Sequence, residues 1–401
     1  MLQRVFKAFE YRDFRLMWMG ACTSSIGTWM QKLAQSWLVL DISGSPFLLG
    51  LDAFLGEIPI FLFSLVGGVV ADRVDRRHIL IASQVLQMTC AITLTVLVAT
   101  GVVEVWHILT LSFLVGVAQA FGGPAYLSLV PTLVGPEDLP NAIALNSIQF
   151  NLARVIGPVL GGLALTNLGA AWCFALNGAS YVPVIITLLL VRMRFTPAKT
   201  AESMMESMKE GIRFIRKQGA MESLIGLAFT MTLLGMPMIV FLPVMAKDVF
   251  HQGANTYTLL LSVSGLGSIL GALFVAGSGH RKHKGRTALI LLIALGALMA
   301  GFALSQNLYL SCALLFVSGA ALIAVFALVT SLVQLVTPDA MRGRVMSVYN
   351  VAFRGGMPIG NLVAGRFIAE FSAPPVLVVN GVLLTILGLW YLVVHRRVAT
   401  L

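Results

Sequence analysis

The chain has 401 residues, of which 58% are hydrophobic and only 11% are charged. A soluble domain of this size could not cover so much apolar surface, so most of the chain is expected to lie in lipid. The formal net charge of +10 does not indicate a nucleic-acid partner, because the basic residues gather at the ends and in alternate loops of the apolar segments.

Twelve apolar segments follow one another along the chain, and a helical membrane crossing needs roughly 20 such residues. They lie near 14–40, 47–71, 79–101, 106–130, 141–166, 171–191, 221–246, 257–279, 287–306, 308–334, 345–370 and 375–394. The runs lack the apolar/polar alternation of barrel strands, which favours helices. The pattern predicts an all-α integral membrane protein of twelve transmembrane helices.

Most of the 27 lysines and arginines fall on one side if the twelve spans alternate in direction. The positive-inside rule then predicts that both termini are cytoplasmic. We expect a multi-pass protein of the cell inner membrane. The polar segment 192–220 has alternating charges at helical spacing, which predicts an amphipathic helix on the inner membrane surface. It would link two six-helix bundles, 1–191 and 221–401.

The two halves share an internal similarity. Segment 146–162, NSIQFNLARVIGPVLGG, can be aligned with segment 346–362, MSVYNVAFRGGMPIGNL. The alignment places Arg154 against Arg354 and Pro158 against Pro358. Two related bundles of six helices are typical of secondary transporters.

Ionisable residues inside membrane helices are costly and are therefore functional candidates. The spans contain Lys32, Asp52, Glu57, Arg154 and Arg354. Counting from the turn between spans 1 and 2 predicts a Lys32–Asp52 ion pair, which would at least stabilise the hairpin. Arg154 has no obvious acidic partner: either helix carbonyls neutralise it, or it attracts an anionic group of a substrate.

The loop after span 2 reads GVVADRVDRR, from Gly68 to Arg77. Gly68 allows close helix approach, Asp72 lies at a helix end, and the arginines could hold two bundles in register. Anchoring by positive charge alone is the alternative. The candidate gating residues of this loop are Gly68, Asp72, Arg73, Arg76 and Arg77.

Span 5 contains GPVLGG, from Gly157 to Gly162. Pro158 is expected to kink the helix, while Gly157 and Gly161 form a close-packing face next to Gly162. Such a sequence serves either in conformational exchange or in helix packing alone.

With these motifs and the segment FGGPAYLSLVPTLV (121–134), the chain resembles the major facilitator superfamily, most of all its macrolide and siderophore exporters. The loop resembles the superfamily's signature after span 2, with Asp75 in place of a second glycine. The GPVLGG segment resembles its antiporter motif. The resemblance extends over essentially the whole chain.

The resemblance implies an alternating-access fold whose cavity is lined by spans 1, 4, 7 and 10. Cavity candidates are Trp29, Gln31, Gln35, Gln119, Tyr126, Arg154 and Met236. It also places span 2 beside span 11, so Glu57 could pair with Arg354 in one state and be protonated in another. Proton antiport is less firmly implied, because Gly116 stands where these exporters usually carry an arginine.

We expect no enzymatic activity, because the sequence shows no catalytic motif. No cofactor or metal site is expected, and the four cysteines are spread as packing residues. The leading hypothesis is a proton-coupled antiporter that exports amphipathic or hydrophobic small molecules and acts as a monomer. The alternatives are a lipid or lysophospholipid transporter and a non-transporting sensor or assembly subunit.

Overall fold

The structure is a computed structural model that describes residues 6–191, 204–277 and 283–401. The side chains of six residues within these ranges lie outside the description: Leu65, Val69, Asp72, Met204, Met205 and Ser207. Asp72, a predicted gating residue, is therefore placed only by its backbone, in the last turn of a helix. The first part of the predicted linker, 192–203, lies outside the described residues.

The described chain is helical throughout. Its long helices are α1 (Arg12–Ser43), α2 (Pro46–Arg73), α3 (Arg76–Ala99), α4 (Val105–Leu129), α5 (Leu139–Asn167), α6 (Ala170–Leu190), α7 (Met204–Lys217), α8 (Gly219–Gly235), α9 (Ala254–Gly277), α10 (Lys284–Leu304), α11 (Leu308–Val336), α12 (Arg342–Phe371) and α13 (Ala373–Val393). Short helical turns continue α8 as far as Val249. The all-helical membrane architecture predicted from the sequence is confirmed.

Ten helices of the described part are long and apolar enough to cross a membrane. The helices α1 and α12 correspond to predicted spans 1 and 11 and have 32 and 30 residues. They are not among these ten helices. The crossing by twelve helices and the cytoplasmic position of both termini stay predictions.

The turn between α1 and α2 shows how the local sequence ends one helix and begins the next. Gly44 has φ +60°, a left-handed conformation that glycine adopts without steric cost. Pro46 then occupies the first position of α2, where its missing N–H is tolerated. This two-residue connection sets the common reference from which depths along α1 and α2 are counted.

The chain divides into two compact units. The first comprises Met1–Ser43 and Leu55–Ala201, and the second comprises Gly44–Phe54 and Glu202–Leu401. In the first unit, α1 packs on α5 and α6, and α3 packs on α4 and α6. In the second, α8 packs on α12, and α10 packs on α11 and α13. Corresponding helix pairs thus recur in the two units.

The most similar of these pairs are held by glycines. On α5, Gly157 and Gly161 lie against α1; on α12, Gly356 and Gly360 lie against α8. A methyl group added at Gly360 would meet the backbone of Leu233, with its Cα only 2.9 Å away. Small residues at these crossings let the helix backbones approach closely.

The amphipathic segment of the central region is the helix α7. Its Glu210 forms an ion pair with Arg344, with Nη1 and Oε2 2.9 Å apart. At Gly211 the helix approaches the backbone of the same Arg344 so closely that an added Cβ would lie 2.7 Å from its carbonyl oxygen. Helix α7 is therefore held against the start of α12 within the second unit.

Candidate functional site

An ion pair joins α1 and α2 far from either helix end. Lys32 Nζ lies 3.4 Å from Glu57 Oε1. Lys32 is 12 residues before Gly44 and Glu57 is 13 residues after it, so both lie roughly 18–20 Å along their helices from the turn. Equal depth explains why these two side chains meet within the first unit.

The Lys32 side chain is 52% exposed, whereas that of Glu57 is 18% exposed. Among the other predicted charges, Asp52 is buried and Arg354 is exposed. The predicted Lys32–Asp52 and Glu57–Arg354 pairs stay predictions. The finding is that Lys32 and Glu57, each predicted as a candidate, form an ion pair with each other.

Two cations share the indole of Trp29. Lys32 Nζ lies 5.5 Å from the ring centroid and Arg154 Cζ lies 5.8 Å from it. Both distances are within the range of cation–π attraction. Phe150 completes the cluster with an edge-to-face contact to Trp29, at a centroid separation of 6.2 Å.

Gly157 of the GPVLGG segment sets the position of Trp29. A Cβ at this residue would lie 2.5 Å from Trp29 Cβ and 2.8 Å from the carbonyl oxygen of Ile26. One turn further along α5, Gly161 lies against Met30 in the same way: a Cβ added at Gly161 would lie 3.0 Å from Met30 Cα. Pro158 and Gly162 are buried within α5. The motif thus provides the α1–α5 crossing on which the cation cluster rests.

The two glutamines of α1 belong to an amide network. Gln31 Nε2 donates to Gln35 Oε1 at 3.3 Å, and Gln35 Nε2 donates to Ser112 Oγ at 2.8 Å. Asn177 Nδ2 donates to Gln31 Oε1 at 2.6 Å. Asn177 is buried in α6 and was missed from the sequence, although a polar residue in an apolar span is itself a signal.

The polar candidates of α4 have partners on α3 and α5. Gln119 Nε2 lies 3.5 Å from Gln87 Oε1 on α3. Tyr126 donates its hydroxyl hydrogen to Asn146 Oδ1 on α5 at 3.2 Å. Both residues therefore contribute to packing within the first unit as well as offering polar groups.

Gly116 lies at a close contact between α4 and α2. A Cβ here would lie 2.6 Å from the carbonyl oxygen of Gly56 and 3.0 Å from Pro59 Cγ. The position where related exporters usually carry an arginine therefore has no room for a side chain in this chain.

The arginines of the loop after α2 bind carbonyl groups at helix ends. Arg76 Nη1 donates to the Ser128 carbonyl at 2.8 Å, at the end of α4. Arg77 Nη2 donates to the Leu189 carbonyl at 2.7 Å, at the end of α6. The last carbonyls of a helix have no partner within it and favour positive charge. These hydrogen bonds lie within the first unit.

Asp75, the residue that departs from the superfamily's loop signature, caps the N-terminus of α3. Its Oδ1 accepts a hydrogen bond from the Arg77 N–H at 2.9 Å. Arg73 is exposed in the last turn of α2, and Gly68, more than one turn earlier in the same helix, is half-buried. Asp75, which stands in place of the signature's glycine, therefore has a local structural role as a helix cap.

In the second unit, one face of α11 lines an open groove of about 440 Å³. Its lining residues are Ile323, Phe326, Ala327, Thr330, Ser331 and Gln334. None was singled out from the sequence, although three polar residues within one turn of an apolar span were visible there. Met236, which was predicted as a cavity residue, is half-buried at the point where α8 ends before Pro237.

The segment before α1 is fastened to the start of α5. Lys7 Nζ lies 3.0 Å from Asp138 Oδ1, and the Tyr11 hydroxyl donates to Asp138 Oδ2 at 3.0 Å. The hydrogen bond from Lys7 lowers the pKa of the Asp138 carboxyl, and burial opposes this. The hydrogen bond to Asp138 raises the pKa of Lys7.

We predict that Asp138→Asn lowers the melting temperature modestly at neutral pH, because it removes this ion pair. The lowered pKa of Asp138 means that its contribution is full above about pH 4 and is lost as the pH falls through the folded-state pKa. The raised pKa of Lys7 means that the contribution is lost at the alkaline end only above about pH 10. Thermal unfolding in detergent, with Glu137→Gln as the control, should show a difference that narrows toward acid and again above about pH 10. A constant difference at all pH values would contradict the assignment.

Comparison with solved structures identifies the fold. The chain matches a bacterial homologue of the human lysosomal transporter Spinster, in an inward-facing and unoccupied conformation, with a TM-score of 0.74, 16% identity and coverage of 96% of this chain and 97% of that one. It also matches the nucleoside transporter NupG, with a TM-score of 0.72, 15% identity and coverage of 95% and 98%. The fold is that of membrane transporters.

Residues 4–399 match the family described as transmembrane secretion effector, and the chain belongs to this family of the major facilitator superfamily. The chain is 27% identical over 391 residues to the enterobactin exporter EntS of Shigella boydii serotype 4 (strain Sb227), covering 95% of this chain and 91% of that protein. It is 26% identical over 361 residues to the multidrug efflux pump Tap of Mycolicibacterium fortuitum, covering 87% and 88%.

The family confirms three predictions from the sequence. The protein is a major facilitator, it is a transporter rather than an enzyme, and it is a multi-pass protein of the bacterial inner membrane. Among the described residues, no group of histidine, cysteine and acidic side chains could hold a metal ion. The roles of individual site residues stay predictions.

Proposed function

We propose that this transporter exports amphipathic or hydrophobic small molecules by alternating access, in exchange for protons. Two relatives, an enterobactin exporter and a multidrug efflux pump, support the export of small molecules. The observation that carries the proton-coupling part is the Lys32–Glu57 ion pair, which lies midway along two long helices of the first unit. Ionisable side chains at such depth are costly and mark substrate or proton pathways.

In this proposal, Glu57 is the group that binds and releases the proton. When ionised, its carboxylate holds Lys32 at 3.4 Å. Protonation removes the negative charge and frees Lys32, so the local charge rises by one. Because the Glu57 side chain is largely buried, this change in charge favours a different helix arrangement.

The first experiment is flux in liposomes that contain the purified protein and a pH gradient. The test compounds are a cationic dye, a macrolide, a catecholate siderophore and a lysophospholipid. Gradient-dependent accumulation of one class supports proton-coupled export and identifies the substrate type. Equal flux of the lysophospholipid with and without the gradient would favour the lipid-transporter alternative. No flux of any compound would count against this substrate range and favour a sensor or assembly role.

We predict that Glu57→Gln reduces gradient-driven accumulation to the level measured without a gradient, because glutamine cannot exchange a proton. Counterflow of substrate in the absence of a gradient should persist, since the amide keeps the shape of the carboxyl group. The matched control is Glu370→Gln, which removes a carboxylate that pairs with Arg366 on the exposed side of α12. Unchanged pH dependence in Glu57→Gln would show that another residue carries the proton.

A further inference from the structure

Arg154 is a half-buried cation that the proposed proton cycle does not use. It lies in the middle of α5, and its contact within the first unit is the face of Trp29. Among the described residues of that unit, no carboxylate contacts its guanidinium. A membrane helix keeps such a charge only at considerable cost, which argues for a role beyond packing.

The surroundings of Arg154 are positively charged. Lys32 contacts the same indole, and the only described acidic partner of Lys32 in this unit is Glu57. Two cations and one carboxylate leave one positive charge in excess. Because Glu57 is bound to Lys32, Arg154 is the cation of this cluster with no carboxylate partner in the described part of the first unit.

Two members of the cluster, Lys32 and Phe150, are exposed. Half of the Lys32 side chain is exposed, and an exposed ammonium at this depth is tolerated beside water rather than lipid. Phe150, which touches the edge of Trp29, is 55% exposed. A cation pair beside an exposed aromatic ring suits a ligand that has an anionic group on a flat apolar body.

We infer that Arg154, Trp29, Lys32 and Phe150 form a binding site for an organic anion, a carboxylate or phenolate borne on an aromatic body. The guanidinium of Arg154 receives the anionic oxygens, Lys32 adds attraction, and Phe150 contacts the ring. The inference rests on the proposed function, because it names a substrate class for the same transporter. Trp29 acts as a positioning residue that holds both cations.

The test is equilibrium binding to purified full-length protein in detergent, with 2-naphthoate as the anion and 2-naphthamide as its neutral counterpart. We expect the wild type to prefer the anion by roughly 10- to 100-fold, the effect of one charge-assisted hydrogen bond. Arg154→Gln should remove that preference and leave naphthamide binding unchanged. Arg154→Lys should keep most of it, and this conservative variant guards against a folding defect.

The matched control is Arg366→Gln, an exposed arginine on α12 that pairs with Glu370; its preference for the anion should equal that of the wild type. Equal affinity of the wild type for both compounds would overturn the inference, and so would absence of naphthoate binding. An equal loss of both affinities in Arg154→Gln would overturn it too. Binding needs no pH gradient, so the two proposals can fail separately. A preference for naphthoate that depends on Arg154, found together with no flux in liposomes, would support the binding site and reject the proposed transport cycle.

Discussion

Replacing Gly116 by arginine, the residue that related exporters usually carry there, should prevent this protein from folding. The added Cβ alone would lie 2.6 Å from the Gly56 carbonyl oxygen and 3.0 Å from Pro59 Cγ. These are a backbone atom and a ring locked in the helix α2, and neither can move away cheaply. The long guanidinium side chain would also have to be fitted between two closely packed helices.

The smaller change Gly116→Ala should lower the free energy of unfolding by about 1–3 kcal/mol, the usual cost of overpacking. The control on the same helix is Gly123→Ala, because a Cβ there meets nothing within 4 Å. It should be neutral or slightly stabilising, since alanine favours helix by about 1 kcal/mol over glycine. The folded yield and the thermal unfolding of each variant, measured in detergent, test these expectations. Normal yield and melting of Gly116→Arg would show that α2 and α4 are not so closely packed.

The second large effect is expected at Gly157, where α5 crosses α1. Gly157→Ala would place a methyl group 2.5 Å from Trp29 Cβ and 2.8 Å from the Ile26 carbonyl oxygen. One helix must move away, so we expect a loss of about 1–3 kcal/mol in stability. Trp29 would shift as well, and both cations that rest on its ring would lose their contact.

The Gly157→Ala variant should therefore lose transport more completely than its melting temperature alone would explain. Flux in liposomes and thermal unfolding, measured on the same preparation, separate the two effects. Gly343→Ala on α12 is a suitable control, because its new Cβ meets nothing within 4 Å. If Gly157→Ala transports normally once folded, then the position of Trp29 is not critical for function.

The candidate residues were largely visible in the sequence, but their partners were not. Lys32, Glu57 and Arg154 stand out because each is a charge within an apolar span. Counting residues from the turn predicted Asp52 as a partner of Lys32, but the choice between Asp52 and Glu57 also depends on helix rotation. Only the structure shows that Lys32 and Glu57 meet and that Arg154 reaches the same tryptophan.

Departures from the family's motifs could be seen but not explained from the sequence. Asp75 looks like the loss of a loop glycine, yet it caps α3 through the Arg77 N–H. Gly116 looks like the loss of a functional arginine, yet it is required by the approach of α2. The Asp75 cap is a local contact two residues along the chain. The constraint at Gly116 comes from atoms of another helix, and spacing along one helix contains no such information.

The sequence by itself determined that this protein is a membrane-embedded helical transporter. Apolar length, the Gly44–Pro46 turn and the motifs at Gly68–Arg77 and Gly157–Gly162 are local properties, and local properties can be read along a chain. The tertiary structure decided which charges pair, which arginines bind helix ends and which glycines lie at crossings. Those outcomes depend on the rotation and depth of each helix, which are set by contacts between residues far apart in sequence.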